Sequence, residues 1–591
     1  MAKEKTKKIK VFKLGTYLKP FKWLLFFGPF TKALEAATEI VIPAMMAKII
    51  DVGIANHDMK YIYTYAGIIL GLNLLGIIFA VISQKCATLT GEGVAKRIRG
   101  DMYAHINTYS YSELDGFSAA SLVNRTINDV NQIESSVTMT MRLVTRAPFL
   151  LIGSFVMALL IDLQLSLIFL AVIPIIVVVM LVITKRTFPY YEKYKVELDT
   201  LSDITRENLS GVRVVRAFNK QEKETERFEN SNTKLASIDS KVVKITAVLQ
   251  PIIFMVVNFS VLAIVYWGGV RVNIGSLTTG NVIAFINYFT QISLALVTVA
   301  RMIIVYTRTS AATKRIDDVL SVKNSIIEKE HTVEYDHEKN KKKGAKITFK
   351  DVSFAYGENN ETLKHLSFEL GAGETLGIIG GTGSGKSTII NLIPRLYDAT
   401  RGIVMIDDIS VKDYKIEDLR KIVGYCPQNV LLFEGTIESN LKWRKKDASD
   451  EELIKALRVA QAYDFVKEKP RFLQAKVTRG GTNFSGGQKQ RLTIARALVG
   501  SPRILILDDS ASALDLATDA SLRHALAKSM PNITKILVSQ RATSLMHANK
   551  IIVMDKGVAV DIGTHEELLS RCKLYQDIYN SQSSKAEEDR I

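Results

Sequence analysis

The chain has 591 residues, a formal charge of +17 and three cysteines, with 47% hydrophobic residues. That length admits two or more domains, and Cys86, Cys426 and Cys572 lie too far apart for a disulfide framework or a zinc site. The basic residues crowd the N-terminus and the connections between apolar runs, which is the pattern of cytoplasmic loops in membrane proteins, so no nucleic-acid partner is expected.

In chain order, residues 1–16 read as a basic cytosolic N-terminus; "MAKEKTKKIK" is too charged for a cleavable signal peptide. The stretch "KVFKLGTYLKPFKW" mixes basic and aromatic residues and predicts an interfacial helix leading into the membrane. Residues 17–320 then predict an α-helical six-span transmembrane domain. The apolar runs 23–50, 61–84, 137–161, 163–185, 246–270 and 281–306 each have the length a span needs. Lys32, Glu35, Glu39, Gln291 and Arg301 interrupt the first and last runs. They either face a bundle interior or aqueous cavity, or they snorkel near a helix end. Both long connections, 85–136 and 186–241, are rich in Lys and Arg, which places them, and both termini, in the cytoplasm. They are helical in character and are expected to prolong the spans, each pair joined by a short transverse segment. Phe26, Phe27, Phe30, Phe149, Phe254, Tyr266, Phe285, Tyr288 and Phe289 would line an apolar cavity, or else face lipid or simply pack, and lipid-facing or packing is the better expectation.

Residues 321–345, including "KNSIIEKEHTVEYDHEKNKKKGA", form a charged linker, and a strand-like run opens at "KITFKDVSFAY". "LGIIGGTGSGKSTIINLI" fits G-x-x-x-x-G-K-[ST], with an apolar strand before it and a helix-compatible run after it. Such a loop, Gly380, Gly381, Thr382, Gly383, Ser384, Gly385, Lys386, Ser387 and Thr388, lets backbone N–H groups curl around phosphates. Lys386 reaches the β/γ oxygens and Ser387 takes Mg²⁺. The run "RILILDDSASALD" ends an apolar strand in two carboxylates, Asp508 and Asp509, a pattern that holds Mg²⁺ beside a nucleotide. Residues 346–580 therefore predict an α/β P-loop nucleotide-binding domain, followed by a tail, 581–591.

With "NFSGGQKQRLTIARAL" shortly before "RILILDD", the second half resembles the nucleotide-binding domain of an ATP-binding cassette (ABC) transporter, and the resemblance adds an α-helical subdomain to the α/β P-loop domain. With the apolar runs in front, the whole chain resembles a half-transporter of the bacterial heterodimeric multidrug-exporter type. The resemblance implies ATP and Mg²⁺ as cofactors, the latter on Ser387, Gln428 and Asp508. It implies that Tyr356 stacks on adenine, that Gln428 senses Mg²⁺ and the membrane domain, and that Asp515 communicates across a dimer. Ser485, Gly486, Gly487 and Gln488 match the signature, which in the family closes on ATP held by the opposing domain. "GFSAASLVNRTINDV" and "ENLSGVRVVRAF" resemble the segments whose transverse helices plug into the ATPase domains.

Two positions depart from that pattern. Asp509 stands where the family has the Glu that polarises water, and its carboxylate falls about 1–1.5 Å short, when general-base catalysis requires hydrogen-bond reach. Gln540 stands where the family has a His, and an amide cannot carry positive charge. Arg479 replaces a residue that is often acidic. The first two together match the subunit with a degenerate site, which implies a homologous partner subunit, a plasma-membrane location and small amphipathic substrates, drugs or lipids. A homodimeric exporter and a membrane-anchored ATP-dependent sensor are the alternatives.

Overall fold

The computed structural model describes residues 12–329, 332–333, 344–357, 361–510 and 514–588. About half of the expected linker, residues 1–11 of the basic N-terminal stretch and the last three residues of the tail lie outside the described residues. The chain forms two compact units: one runs up to Asn107 and adds Ala119–Lys323, and the other joins Thr108–Ser118 to the chain from Asn324 onward.

The first unit is helical. Met59–Ile106 has 48 residues, about 72 Å at 1.5 Å per residue, which is more than twice the hydrocarbon thickness of a bilayer. Five stretches are long and apolar enough to cross a membrane: Met59–Ile106, Ala119–Ile161, Leu163–Ala217, Gln221–Asn273 and Thr279–Val299. The remaining expected span is also a helix, Lys22–Lys48, but Lys32, Glu35 and Glu39 make it too charged to qualify by composition.

Those charges find partners on neighbouring turns and helices. Lys32 donates to both carboxylate oxygens of Glu35 at 2.8 and 2.6 Å, and Arg146 donates to both of Glu39 at 3.0 and 2.8 Å. Gln291 bridges the Glu39 carbonyl, at 3.3 Å, and the Ser154 hydroxyl, at 2.8 Å. Pairing offsets most of the penalty of a charge among apolar helices. The Arg301 side chain lies outside the described ones. Among the aromatics, Phe285 and Phe289 are buried and stack on Phe169 at 4.9 and 5.4 Å, and the buried Tyr288 donates its hydroxyl hydrogen to the Ile40 carbonyl. These three pack; Phe26, Phe27, Phe30, Phe149, Phe254 and Tyr266 are exposed.

The long connections do prolong the spans as helix, but the expected transverse segments need correction. The first connection reverses through a short helix, Tyr111–Asp115, started by a Ser110–Glu113 capping box. It lies just ahead of "GFSAASLVNRTINDV" rather than inside it. The second has no transverse helix: Leu163–Ala217 runs straight through "ENLSGVRVVRA", and the chain turns at Asn219, φ +52°, before Gln221–Ala247 returns. A single interior Gly211 costs only about 1 kcal/mol and does not end a helix, whereas Asn tolerates the left-handed turn.

The second unit is built on strands β1 (Ile347–Ala355), β2 (Glu361–Leu370), β3 (Thr375–Gly380), β4 (Arg401–Ile406), β5 (Ile409–Ser410), β6 (Val423–Cys426), β7 (Gly435–Thr436), β8 (Lys476–Val477), β9 (Ile504–Asp508), β10 (Thr534–Val538), β11 (Lys550–Asp555) and β12 (Val558–Gly563). An antiparallel sheet runs β2-β1-β4-β5, and a larger sheet runs β12-β11-β3-β10-β9-β6, parallel except for β12. Parallel strands covered on both faces read as unbroken apolar runs, and every residue of β9 is buried. A second apolar core packs Leu453, Leu457, Ile494 and Leu522 of the helical part with Cys426 of β6 and Leu505 and Leu507 of β9.

Candidate functional site

The strand order places the predicted residues. β3, β10, β9 and β6 are parallel neighbours, so the segments that follow them emerge at the same edge, where ligands bind in open α/β sheets. Gly381–Ser387 follows β3, Gln540 follows β10, Asp508 ends β9 with Asp509 next to it, and Gln428 follows β6. Four stretches that are distant in sequence thus meet by topology alone.

The loop after β3 needs glycine at two points. Gly380 has φ +154°, and a Cβ there would sit 2.2 Å from the Met554 carbonyl oxygen; Gly385 has φ +100°, a conformation that side chains resist. Gly381, Thr382 and Gly383 are exposed, Ser384 and Thr388 are buried, and Ser387 is exposed at the start of helix Lys386–Leu392. Lys386 donates to the carbonyls of Gly380 at 2.9 Å and Gly381 at 2.6 Å, so its ammonium lies across the loop. Burial pulls the pKa of Lys386 down, while Asp508 and Asp509 push it the other way.

Asp508 is 5% exposed. Burial, reinforced by Asp509, raises its pKa to about 6, against the pull of Lys386 and a hydrogen bond from Ser387. Asp509 is also raised, first by burial, with Lys386 and Arg541 opposing. Two carboxylates beside a hydroxyl, with their charge incompletely matched by one lysine, are a donor set suited to a hard divalent cation. The residues therefore fit Mg²⁺. Asp509 has φ +46° and donates its N–H to the Val538 carbonyl at 3.0 Å. Asp is among the residues that tolerate this left-handed conformation, so the backbone accommodates the departure from Glu. Gln428 and Gln540 are both exposed.

Tyr356 follows β1, is half exposed, and hydrogen-bonds the Thr388 hydroxyl at 3.1 Å, so an aromatic face stands beside the phosphate loop. The signature is placed elsewhere. Ser485 caps helix Gly486–Leu498: Gln488 N–H donates to its hydroxyl at 3.3 Å, and Ser485 N–H donates to the Gln488 side chain at 3.1 Å. Among the described residues, no hydrogen bond or ion pair joins Ser485–Gln488 to the phosphate loop. Asp515 caps helix Leu516–Ser529 through Thr518, which lowers its pKa, and Arg491 of the signature helix adds to that shift. Arg479 is exposed.

Three contributors were missed from the sequence. Tyr397 packs edge-on against Tyr356 at 5.2 Å and donates its hydroxyl hydrogen to Asp115 at 2.6 Å, so the short helix between the spans is one residue from the aromatic face. Gln582 brackets the segment after β10, donating to the Gln540 carbonyl at 2.7 Å and accepting from Ala542 N–H at 2.9 Å. Arg541 faces Asp509. A lone tyrosine in "PRLYDAT" and a glutamine in the tail carry no local signal; only the fold reveals them.

A helical membrane unit, joined to a sheet unit with a phosphate loop, paired acids and a separately capped signature helix, defines an ABC transporter half. The chain matches the family described as ABC transporter transmembrane region over residues 25–296 and the family described as ABC transporter over residues 363–512. It is 34% identical to the uncharacterized ABC transporter ATP-binding protein YfiB of Bacillus subtilis (strain 168), over 96% of this chain and 98% of that one. It is 29% identical to the ATP-dependent lipid A-core flippase of Desulfotalea psychrophila, over 95% and 97%. A solved bacterial Atm1-family ABC exporter with ATP bound shares the fold, with a TM-score of 0.77 at 22% identity, covering 96% of this chain and 98% of that one. The chain belongs to the ABC transporter family and has the exporter fold. Membership brings an ATP-binding domain that couples ATP hydrolysis to transport across a membrane.

Proposed function

We propose that this chain is one half of a heterodimeric, plasma-membrane exporter of amphipathic molecules, with six spans and its ATP-binding unit in the cytoplasm. In this reading the chain's own site grips ATP but hydrolyses it poorly. The observation that carries it is the pairing of Asp509 with Gln540 at the edge of an otherwise complete phosphate cradle. Tyr356 offers the adenine a stacking face, and Gly380–Ser387 with Lys386 cradles the phosphates. Ser387, Asp508 and Gln428 would hold Mg²⁺, which neutralises phosphate charge when bound. Phosphoryl transfer depends on positioning, so a short carboxylate and an uncharged amide weaken water activation and leave binding in place.

The intact signature, Ser485–Gln488, serves the opposite site: its exposed capped helix start would close on ATP held by the partner's phosphate loop. Asp515, beside Arg491, would relay that closure. Closure of the two cassettes moves the helical extensions and alternates access to the substrate path. The charged, partnered interior of Lys22–Lys48 and the likeness to a lipid A-core flippase support an amphipathic cargo.

The test is a pair of substitutions in the assembled transporter. Changing the partner's catalytic Glu to Gln should nearly abolish ATPase activity, while Asp509→Asn should change it less than twofold. Equal losses, or brisk turnover by this chain alone as a homodimer, would sink the reading.

A further inference from the structure

A groove in the first unit, with a volume of about 570 Å³, is lined by three cations, Lys32, Lys85 and Arg142, and by no acidic side chain. Its apolar wall is made by Ala80, Val81 and Leu89. The cations differ in how they are balanced. Lys32 is neutralised by both oxygens of Glu35, and the other acid of that helix, Glu39, gives both of its oxygens to Arg146. Lys85 and Arg142 form no ion pair among the described residues. Their own helices have no counter-charge to offer nearby: no Asp or Glu occurs from residue 59 to 91, or from 135 to 161. Arg142 sits on a π-helical turn, Thr140–Val144, an irregularity that tends to mark functional positions in helices.

Both cations are exposed, Lys85 at the start of the connection expected in the cytoplasm, and basic pockets between membrane helices on that side take acidic head groups. From this we propose that the groove binds the acidic head of an amphiphilic substrate, a phosphate or carboxylate held between Lys85 and Arg142, with its acyl part along Ala80, Val81 and Leu89. The word substrate rests on the exporter reading above; the charge complementarity does not.

The experiment uses the purified full-length transporter in neutral detergent, with native mass spectrometry of bound dioctanoylphosphatidylglycerol, dioctanoylphosphatidylcholine and inorganic phosphate. Phosphatidylglycerol should bind at least tenfold more tightly than phosphatidylcholine. Lys85→Gln with Arg142→Gln should erase that preference, and the charge-keeping pair Lys85→Arg with Arg142→Lys should retain it within threefold. In phosphatidylcholine vesicles, ATP should drive transfer of a fluorescent phosphatidylglycerol. The proposal is overturned if the two lipids bind alike, if the glutamine pair binds as well as the parent, or if inorganic phosphate competes on equal terms, which would mark a simple anion site. Phosphatidylglycerol that binds but is never moved is a structural lipid and also overturns it. If phosphatidylglycerol fails while another amphiphile is moved by ATP, the groove assignment falls and the exporter reading stands. If no amphiphile is moved, the exporter reading falls as well.

Discussion

The strand-end cluster and the signature helix, both assigned to nucleotide in the reading proposed above, belong to one unit, yet they are built on different principles. In the cluster, Asp508, Asp509 and Lys386 are buried or half-buried and perturb each other, so any substitution there is felt within the chain. The signature start is exposed and satisfied by its own cap, and a Cβ on Gly486 would meet nothing within 4 Å. Its constraint must come from outside the chain. Two departures from the family pattern, Asp509 and Gln540, stand at the strand ends, where in the reading proposed above they would weaken chemistry and spare the cradle; the third, Arg479, stands six residues before Ser485.

Gly486→Asp should therefore give the largest effect and break the comparison most directly. An acidic residue at the first position of a helix favours the helix dipole, and open space surrounds it, so the melting temperature of the chain should hold or rise slightly. Against ATP phosphates the same charge is repulsive, and ATPase activity of the assembled transporter should fall at least a hundredfold, about 2.7 kcal/mol. Unchanged turnover would mean that the signature meets no phosphate. Next, Lys386→Ala removes the cation of the cradle; hydrogen bonds to charged groups contribute about 1.5–3 kcal/mol, so fluorescent-ATP affinity at this site should drop roughly ten- to a hundredfold. A smaller effect is expected from Tyr397→Phe, which keeps the ring against Tyr356 and deletes only the bond to Asp115. Basal turnover should stay within twofold, while stimulation by a transported amphiphile should fall about threefold, consistent with a bond to a charged acceptor that is only partly buried. Full stimulation would show that the short helix Tyr111–Asp115 does not read the base-side aromatic through this contact.

How much of this was legible in the sequence follows from where the physics is local. The phosphate loop, the paired acids and the capped signature are short motifs whose chemistry fixes residue type and spacing, and the fold brings the first two to one edge. The long helical extensions were legible because their charge and length left little else to form. The transverse helices were not: "ENLSGVRVVRA" stays inside Leu163–Ala217 although Asn208 and Ser210 are residues that could cap a new helix, while the Ser110–Glu113 box started a helix where the resemblance had not placed one. Tyr397, Gln582 and the Arg146–Glu39 pair join residues tens to hundreds of positions apart. No window of sequence contains such pairs.

Cys426 gives the smallest effect and the finest test of whether the two regions move as one. It ends β6, its sulfur lies 3.9 Å from Gln490 of the signature helix, and both Arg496 on that helix and Asp508 in the cluster act on its thiol. Burial pushes the thiol pKa up to about 12, with Asp508 adding and Arg496 opposing. Because the folded value lies above the unfolded one, the contribution to stability is complete below the unfolded pKa, near 9, and fades as pH rises towards 12. At pH 8 only about one thiol in ten thousand is ionised, and the thiolate is the reactive form. Maleimide should label Cys426 on unfolding in urea and otherwise hardly at all. Labelling should stay as slow when ATP and Mg²⁺ are added, because β9, through Leu505 and Leu507, and the signature helix share one packed core that includes this cysteine. An ATP-dependent rise in labelling, followed by peptide mapping, would show that closure shears the helical part away from the sheet. The signature would then be a moving element rather than a fixed face.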